Sequence, residues 1–170
     1  MVVEALVERW GLGRAKDRFK GRIAEGRVCY GPPGSGAGEG PRVAVLCPQT
    51  YMNDSGRSVG PARGSFKLPV ERVLVVYDEI DLPFGEVRTR VGGGLAGHNG
   101  LKSIRRELGS PDFTRVRVGV GRPNSTDPEI VSAHVLGRFA ESPEVVRDLI
   151  ERACDQVEQV LAGTPDGEAG

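Results

Sequence analysis

Cysteine is sparse and odd in number: Cys29, Cys47 and Cys154 are the whole complement of 170 residues. Their wide spacing excludes a disulfide frame and a zinc site, and reads as reduced thiols in a cytosolic protein. Long apolar runs are missing too. None approaches the roughly 18 residues that a membrane span needs. No leader is expected, because residues 1–20 carry charges throughout. There is no internal repeat and no break in composition, which favours one domain with a real core over residues 1–162 and a disordered tail over 163–170. Net charge is absent as well: 23 Lys and Arg balance 23 Asp and Glu.

That balance is uneven along the chain. From Glu86 to Arg122, eight Lys/Arg face three Asp/Glu, a surplus of +5. From Phe139 to the end, two Arg face eight Asp/Glu, a deficit of −6. A basic stretch on a neutral chain suggests that one face meets a polyanion, although a solvated surface explains the charge equally well.

The apolar pattern predicts a helix over 2–10, with Val3, Leu6, Val7 and Trp10 on its face. Strands are expected over 18–30 and 43–48, joined as a hairpin across the glycine-rich loop 31–41. A helix is expected over 53–66, with Asn53 or Asp54 near its N-cap. Its Gly56, Gly60 and Gly64 recur every four residues and suggest close backbone packing. A fully buried strand should begin at Arg72 and end in acids by Pro83. Residues 86–91 read as an edge or half-exposed strand, 98–108 as a helix stopped by Gly109, and 114–121 as a strand. A short helix or turn over 128–136 precedes a long amphipathic helix over 142–161. That last helix carries Val145, Val146, Leu149, Ile150, Ala153, Val157, Val160 and Leu161 as its stripe. Ser142 caps it and Pro143 opens it. The alternation implies an α/β protein with a mixed sheet.

Gly92, Gly94 and Gly97 satisfy G-x-G-x-x-G, the glycine pattern of dinucleotide loops. The context argues against that use. The preceding strand carries outward Arg88 and Arg90, and no acid follows where a ribose would need one. A tight turn accounts for the glycines but not for the polar pair His98–Asn99. Three polar clusters leave strand ends: "PQTYMNDSG", "YDEIDLPFG" and "GHNGLKS". If they converge, Asn53, Asp78, His98 and Asn99 share a cleft in which amides bind a carbonyl and a carboxylate orients an imidazole. Each has a plainer alternative: Asn53 as a cap, Asp78 bonding turn amides, His98 as a helix-start residue. Asp78, Glu79 and Asp81 could suggest magnesium, but the run is short and has no complementary acids, so no metal is expected.

Together "PQTYMNDSG", "YDEIDLPFGEVRTRVGGGLAGHNGLKSI" and "FTRVRVGVGRP" resemble bacterial peptidyl-tRNA hydrolases, in the right order and across residues 2–161. The resemblance implies a single-domain α/β fold with a twisted mixed sheet flanked by helices. It implies cleavage of the ester joining peptide to tRNA, a cytoplasmic monomer, and neither metal nor cofactor. By motif, Tyr51, Asn53, His98 and Asn99 match substrate-binding residues, and Asp78 the carboxylate that steadies the catalytic histidine. Arg88, Arg90, Lys102 and Arg117 match the basic surface that holds tRNA phosphate.

The family opens with a strand, a Gly-Asn-Pro-Gly turn and a His-Asn pair whose histidine is the general base. Here Met1 falls inside the helix that normally follows, so the first strand and that histidine are expected to be missing. His98 and His134 are the two histidines present, and neither matches the base. Three readings follow: a start assigned too late, a short form that binds tRNA without cleaving it, or His98 serving as base.

Overall fold

The computed structural model describes residues 1–31 and 38–163. Most of the glycine-rich loop and residues 164–170 of the expected tail lie outside the described residues. The chain groups into two compact units. One holds residues 1, 3–74 and 91–114; the other holds residue 2, 75–90 and the chain from 115 onward. The α/β class with a mixed sheet holds, as two three-stranded sheets and five helices among the described residues. No described helix is long and apolar enough to cross a membrane.

In the first unit, helix α1 (Val2–Arg9) buries Leu6 and is followed by buried Trp10. Strands β1 (Lys16–Arg18), β2 (Gly21–Cys29) and β3 (Glu39–Pro48) form an antiparallel sheet in that order. The β2–β3 hairpin is as expected, with Ile23 opposite Leu46. The strand expected from residue 18 is instead a hairpin. Phe19 and Lys20 take positive φ of 56° and 52°, and the chain doubles back so that Arg18 faces Gly21. Such turns normally use Asn or Gly, so Phe-Lys gave no turn signal. The β3 strand is half-buried rather than buried.

The expected 53–66 helix also differs. Residues Met52–Asp54 form a 3-10 turn, and helix α2 (Gly56–Phe66) starts after it, with Ser55 at the cap position. Neither Asn53 nor Asp54 caps α2. Ser55 Oγ donates back to the Met52 carbonyl at 2.8 Å, which closes the short turn and leaves Asn53 exposed. Helix α2 packs on α3 (Asn99–Leu108). A methyl group at Gly56 would lie 2.2 Å from the Ser103 carbonyl oxygen, so the two backbones meet there. Gly60 faces Glu107 less tightly, and Gly64 faces open space. Two of the three repeating glycines thus serve the contact.

The second unit is built on β4 (Leu74–Glu79), β6 (Thr114–Gly119) and β5 (Val87–Val91), with β6 in the centre. Thr114 N bonds Val73 O and Val120 N bonds Glu79 O. The constant offset makes β4 and β6 parallel. Gly119 N bonds Glu86 O while Gly92 N bonds Phe113 O, so β5 runs antiparallel to β6. The expected 72–83 strand is shorter, and its apolar residues are half-buried, because it lies at an edge of this sheet. Helix α4 (Pro128–Leu136) buries nothing, and Asp127 caps it. Helix α5 (Pro143–Leu161) is capped by Ser142, as expected. Its Leu149 and Ala153 join Val118 in the core, with Val76, Phe84 and Val87 against them. Val145 is exposed instead of core, whereas Gln156 is buried and donates to Thr89 Oγ1 at 2.8 Å.

Candidate functional site

In the first unit, two of the three polar clusters come together. The 3-10 turn packs against the start of α3. A methyl group at Gly100 would sit 3.0 Å from His98 Cε1 and 3.2 Å from Met52 Cγ, so these two side chains meet over Gly100. Asn53 follows Met52, and Asn99 follows His98. Both amides are exposed, and Tyr51 beside them is 83% exposed. The floor beneath is rigid: Gly56 N donates to Ser103 Oγ at 2.9 Å, tying the end of the turn to α3. Met52 is 43% exposed, and its side chain lies over Gly100 beside His98.

His98 is the N-cap of α3. Its Nδ1 accepts from Leu101 N at 3.2 Å, which satisfies one of the helix's open donors. That lone pair is therefore committed. His98→Ala is expected to lower stability by about 1 kcal/mol, and His98→Asn to recover most of it, since Asn caps well. Urea denaturation of the two variants checks this. The other histidine, His134, sets Nε2 against the Val120 and Gly121 carbonyls at 3.3 and 3.0 Å.

The glycine loop before His98 is a turn between β5 and α3, with positive φ at Gly92 and Gly97. Because β5 is an edge strand antiparallel to β6, the setting is not the parallel strand, loop and helix of a dinucleotide fold.

Asp78 lies on β4 in the second unit. The buried acid of that strand is its neighbour Glu79, 6% exposed. Glu79 accepts from Asp81 N at 3.1 Å, Tyr77 OH at 3.5 Å and Arg117 at 3.4 Å. Strand alternation explains the grouping: Tyr77 and Glu79 share one face of β4, and Arg115 and Arg117 the matching face of β6, while Asp78 points the other way. Sequence reasoning weighed Glu79 only as a metal ligand and missed its pairing with Arg117, although the two-residue period was there to read. Arg117 was expected on the phosphate surface; it is 22% exposed and engaged by Glu79. Arg90 and Lys102 are exposed, and Arg88 is exposed and pairs with Glu86 at 2.9 Å.

Burial lifts the Tyr77 phenol above its ordinary value of 10.0, and the Glu79 charge adds to the rise. A raised folded value stabilises fully below the unfolded value and is lost as pH climbs through the folded one. Stability should therefore fall more steeply above pH 10 in the wild type than in Tyr77→Phe. Urea midpoints taken on either side of pH 10 test it.

A model of the peptidyl-tRNA hydrolase family matches residues 1–168 of the chain. The chain belongs to the peptidyl-tRNA hydrolase family. Curated members agree. The peptidyl-tRNA hydrolase of Acidiphilium cryptum is 42% identical over 167 residues, covering 98% of this chain and 81% of that protein. That of Granulibacter bethesdensis is 44% identical, covering 96% and 78%. The crystal structure of peptidyl-tRNA hydrolase from Acinetobacter baumannii superposes with a TM-score of 0.76 at 34% identity, covering 95% of this chain and 77% of that one.

Proposed function

We propose that this chain hydrolyses the ester between peptide and tRNA in peptidyl-tRNA, releasing the tRNA of stalled or aborted translation. One observation supports this most: two exposed amides, Asn53 and Asn99, stand on adjoining elements locked through Gly56 and Ser103, within a chain of this family. An ester carbonyl needs donors where negative charge develops, and amides carried on two tied backbone segments supply them. In the mechanism we infer, water attacks the carbonyl and Asn53 holds the water or the developing oxyanion. Asn99 fixes the peptide or the terminal nucleotide, with Tyr51 and His98 beside them. Asp78 would steady the imidazolium of the family's general-base histidine, a residue that neither His98 nor His134 matches, when that histidine takes the water's proton. Arg88, Arg90 and Lys102 hold backbone phosphates. Arg117, already engaged by Glu79, contributes least to that surface. The reaction uses neither metal nor cofactor. The protein works as a cytoplasmic monomer, and residues 1–162 act as one functional domain, in keeping with an unbroken family match.

A binding-only role is not favoured, because the relatives matched over nearly the whole chain bear the hydrolase name. Neither His98 nor His134 matches the family's base, and general-base catalysis contributes about 10²–10⁴-fold. Release of a labelled peptide from peptidyl-tRNA by residues 1–170 alone should therefore depend on the added chain and run about 10²–10⁴-fold below a relative that carries the base. Binding without any protein-dependent release would reduce the role to recognition. Absence of both binding and release would refute the proposal.

A further inference from the structure

A second basic stretch lies outside the surplus of residues 86–122. Residues 14–22 read "RAKDRFKGR": Arg14, Lys16, Arg18, Lys20 and Arg22 against the single acid Asp17, five cations to one anion. All five cations are exposed; Lys16, Arg18, Lys20 and Arg22 ride on the β1–β2 hairpin, and Arg14 lies just before it. Among the described residues, none of Lys16, Lys20, Arg22 and Arg57 has a salt bridge.

The tip of this hairpin is built. Phe19 packs edge-on against Phe66 of α2, with ring centres 6.2 Å apart, and Arg18 lies 4.3 Å over the Phe19 ring while donating to Ser65 Oγ. The Lys20 carbonyl accepts from Gln49 N at 2.9 Å, which ties the tip to the segment leaving β3. Lys20 itself holds φ of 52°, a conformation that favours glycine or asparagine. A lysine therefore sits where turn chemistry alone would choose another residue, in a turn held by its contacts with Phe66 and Ser65.

That cation lines a cavity of about 430 Å³ together with Gln49, Thr50, Tyr51, Asp54 and Arg57. Tyr51 and Asp54 flank Met52 and Asn53, so the cavity adjoins the amide site within the same unit. Two cations suit a phosphate. Asp54 halves their net charge and can accept from a donor next to that phosphate, which in an RNA substrate is a ribose hydroxyl.

We infer that Lys20 and Arg57 clamp a backbone phosphate of RNA in this cavity, with Asp54 accepting from a ribose hydroxyl, and that the β1–β2 hairpin extends the contact. The inference rests on the peptidyl-tRNA reading and adds to it a second anion site, on the first unit.

Two variants test it by fluorescence anisotropy with labelled peptidyl-tRNA across a salt series. Lys20→Gly/Arg57→Gln removes both cations, and the glycine suits the positive φ, so this variant should melt no lower than the wild type. Arg138→Gln/Arg147→Gln removes two exposed cations of the second unit as a control for net charge. The inference expects the first variant to bind about tenfold more weakly at low salt, with a log Kd against log salt slope shallower by about two. The control should keep the wild-type slope. If the wild type binds and Lys20→Gly/Arg57→Gln matches it in Kd and slope, the cavity is no phosphate site, and the family reading stands without it. Equal losses in both variants also overturn the inference, because net charge alone would account for them. If the wild type binds no peptidyl-tRNA, the functional reading fails and the inference falls with it.

Discussion

Asn53→Ala is expected to lower peptidyl-tRNA cleavage by about 10²–10³-fold, the usual loss when one preorganised donor to an oxyanion is removed. The melting temperature should not move, because Asn53 is exposed and caps no helix. The two outcomes together separate chemistry from folding. A rate near wild type would remove Asn53 from the reaction. A rate loss with a matching loss of stability would make it a structural residue of the turn. Burst-free single-turnover kinetics reads the cleavage step itself, so weaker binding is not mistaken for slower chemistry.

The second large effect is structural and lies beneath that amide. Gly56→Ala places a methyl carbon 2.2 Å from the Ser103 carbonyl oxygen, 2.6 Å from its carbonyl carbon and 2.7 Å from Glu107 Cγ. The Glu107 side chain can swing away, but a helix backbone cannot. The helices must separate by roughly 1 Å to restore ordinary contact, and overpacking of this kind costs about 3 kcal/mol. Separation also breaks the bond from Gly56 N to Ser103 Oγ and carries the Asn53 turn away from Asn99. A misplacement of about 1 Å in a positioned group costs about 10²-fold in rate, so activity should fall in protein that is still folded. Gly64→Ala supplies the contrast on the same helix. Nothing lies within 4 Å of its added carbon, so better helix propensity should stabilise by about 0.5–1 kcal/mol. Guanidinium denaturation of both variants reads the opposite signs. Two shifts of the same sign would show that α2 and α3 do not meet as described.

What could be read from sequence was local. Helix α3 announces itself by a polar cap, an apolar face and Gly109, and α5 by Ser142 followed by Pro143; both occur as expected. The His98 cap was legible for the same reason, since it depends on near neighbours. The turn at Phe19–Lys20 was hidden because its residues lack the usual turn chemistry, and tertiary contacts with Phe66 and Ser65 hold it. The 3-10 turn at Met52–Asp54 was hidden likewise, since its hydrogen bonds mimic those of a helix start. Glu79 and Arg117 stand 38 residues apart, and only strand pairing brings them together. Charge counting therefore assigned Arg117 to the surface. The family itself was legible from three ordered motifs, which carry more information than the lone glycine fingerprint.

The central claim is that ester recognition resides on the 3-10 turn and the start of α3. Amide chemical-shift mapping with a non-hydrolysable peptidyl-adenosine, its ester replaced by an amide, tests that claim most directly. The account predicts perturbations concentrated at residues 51–56 and 97–103, diminished in Asn53→Ala. Saturable binding that leaves those two segments unperturbed would contradict it.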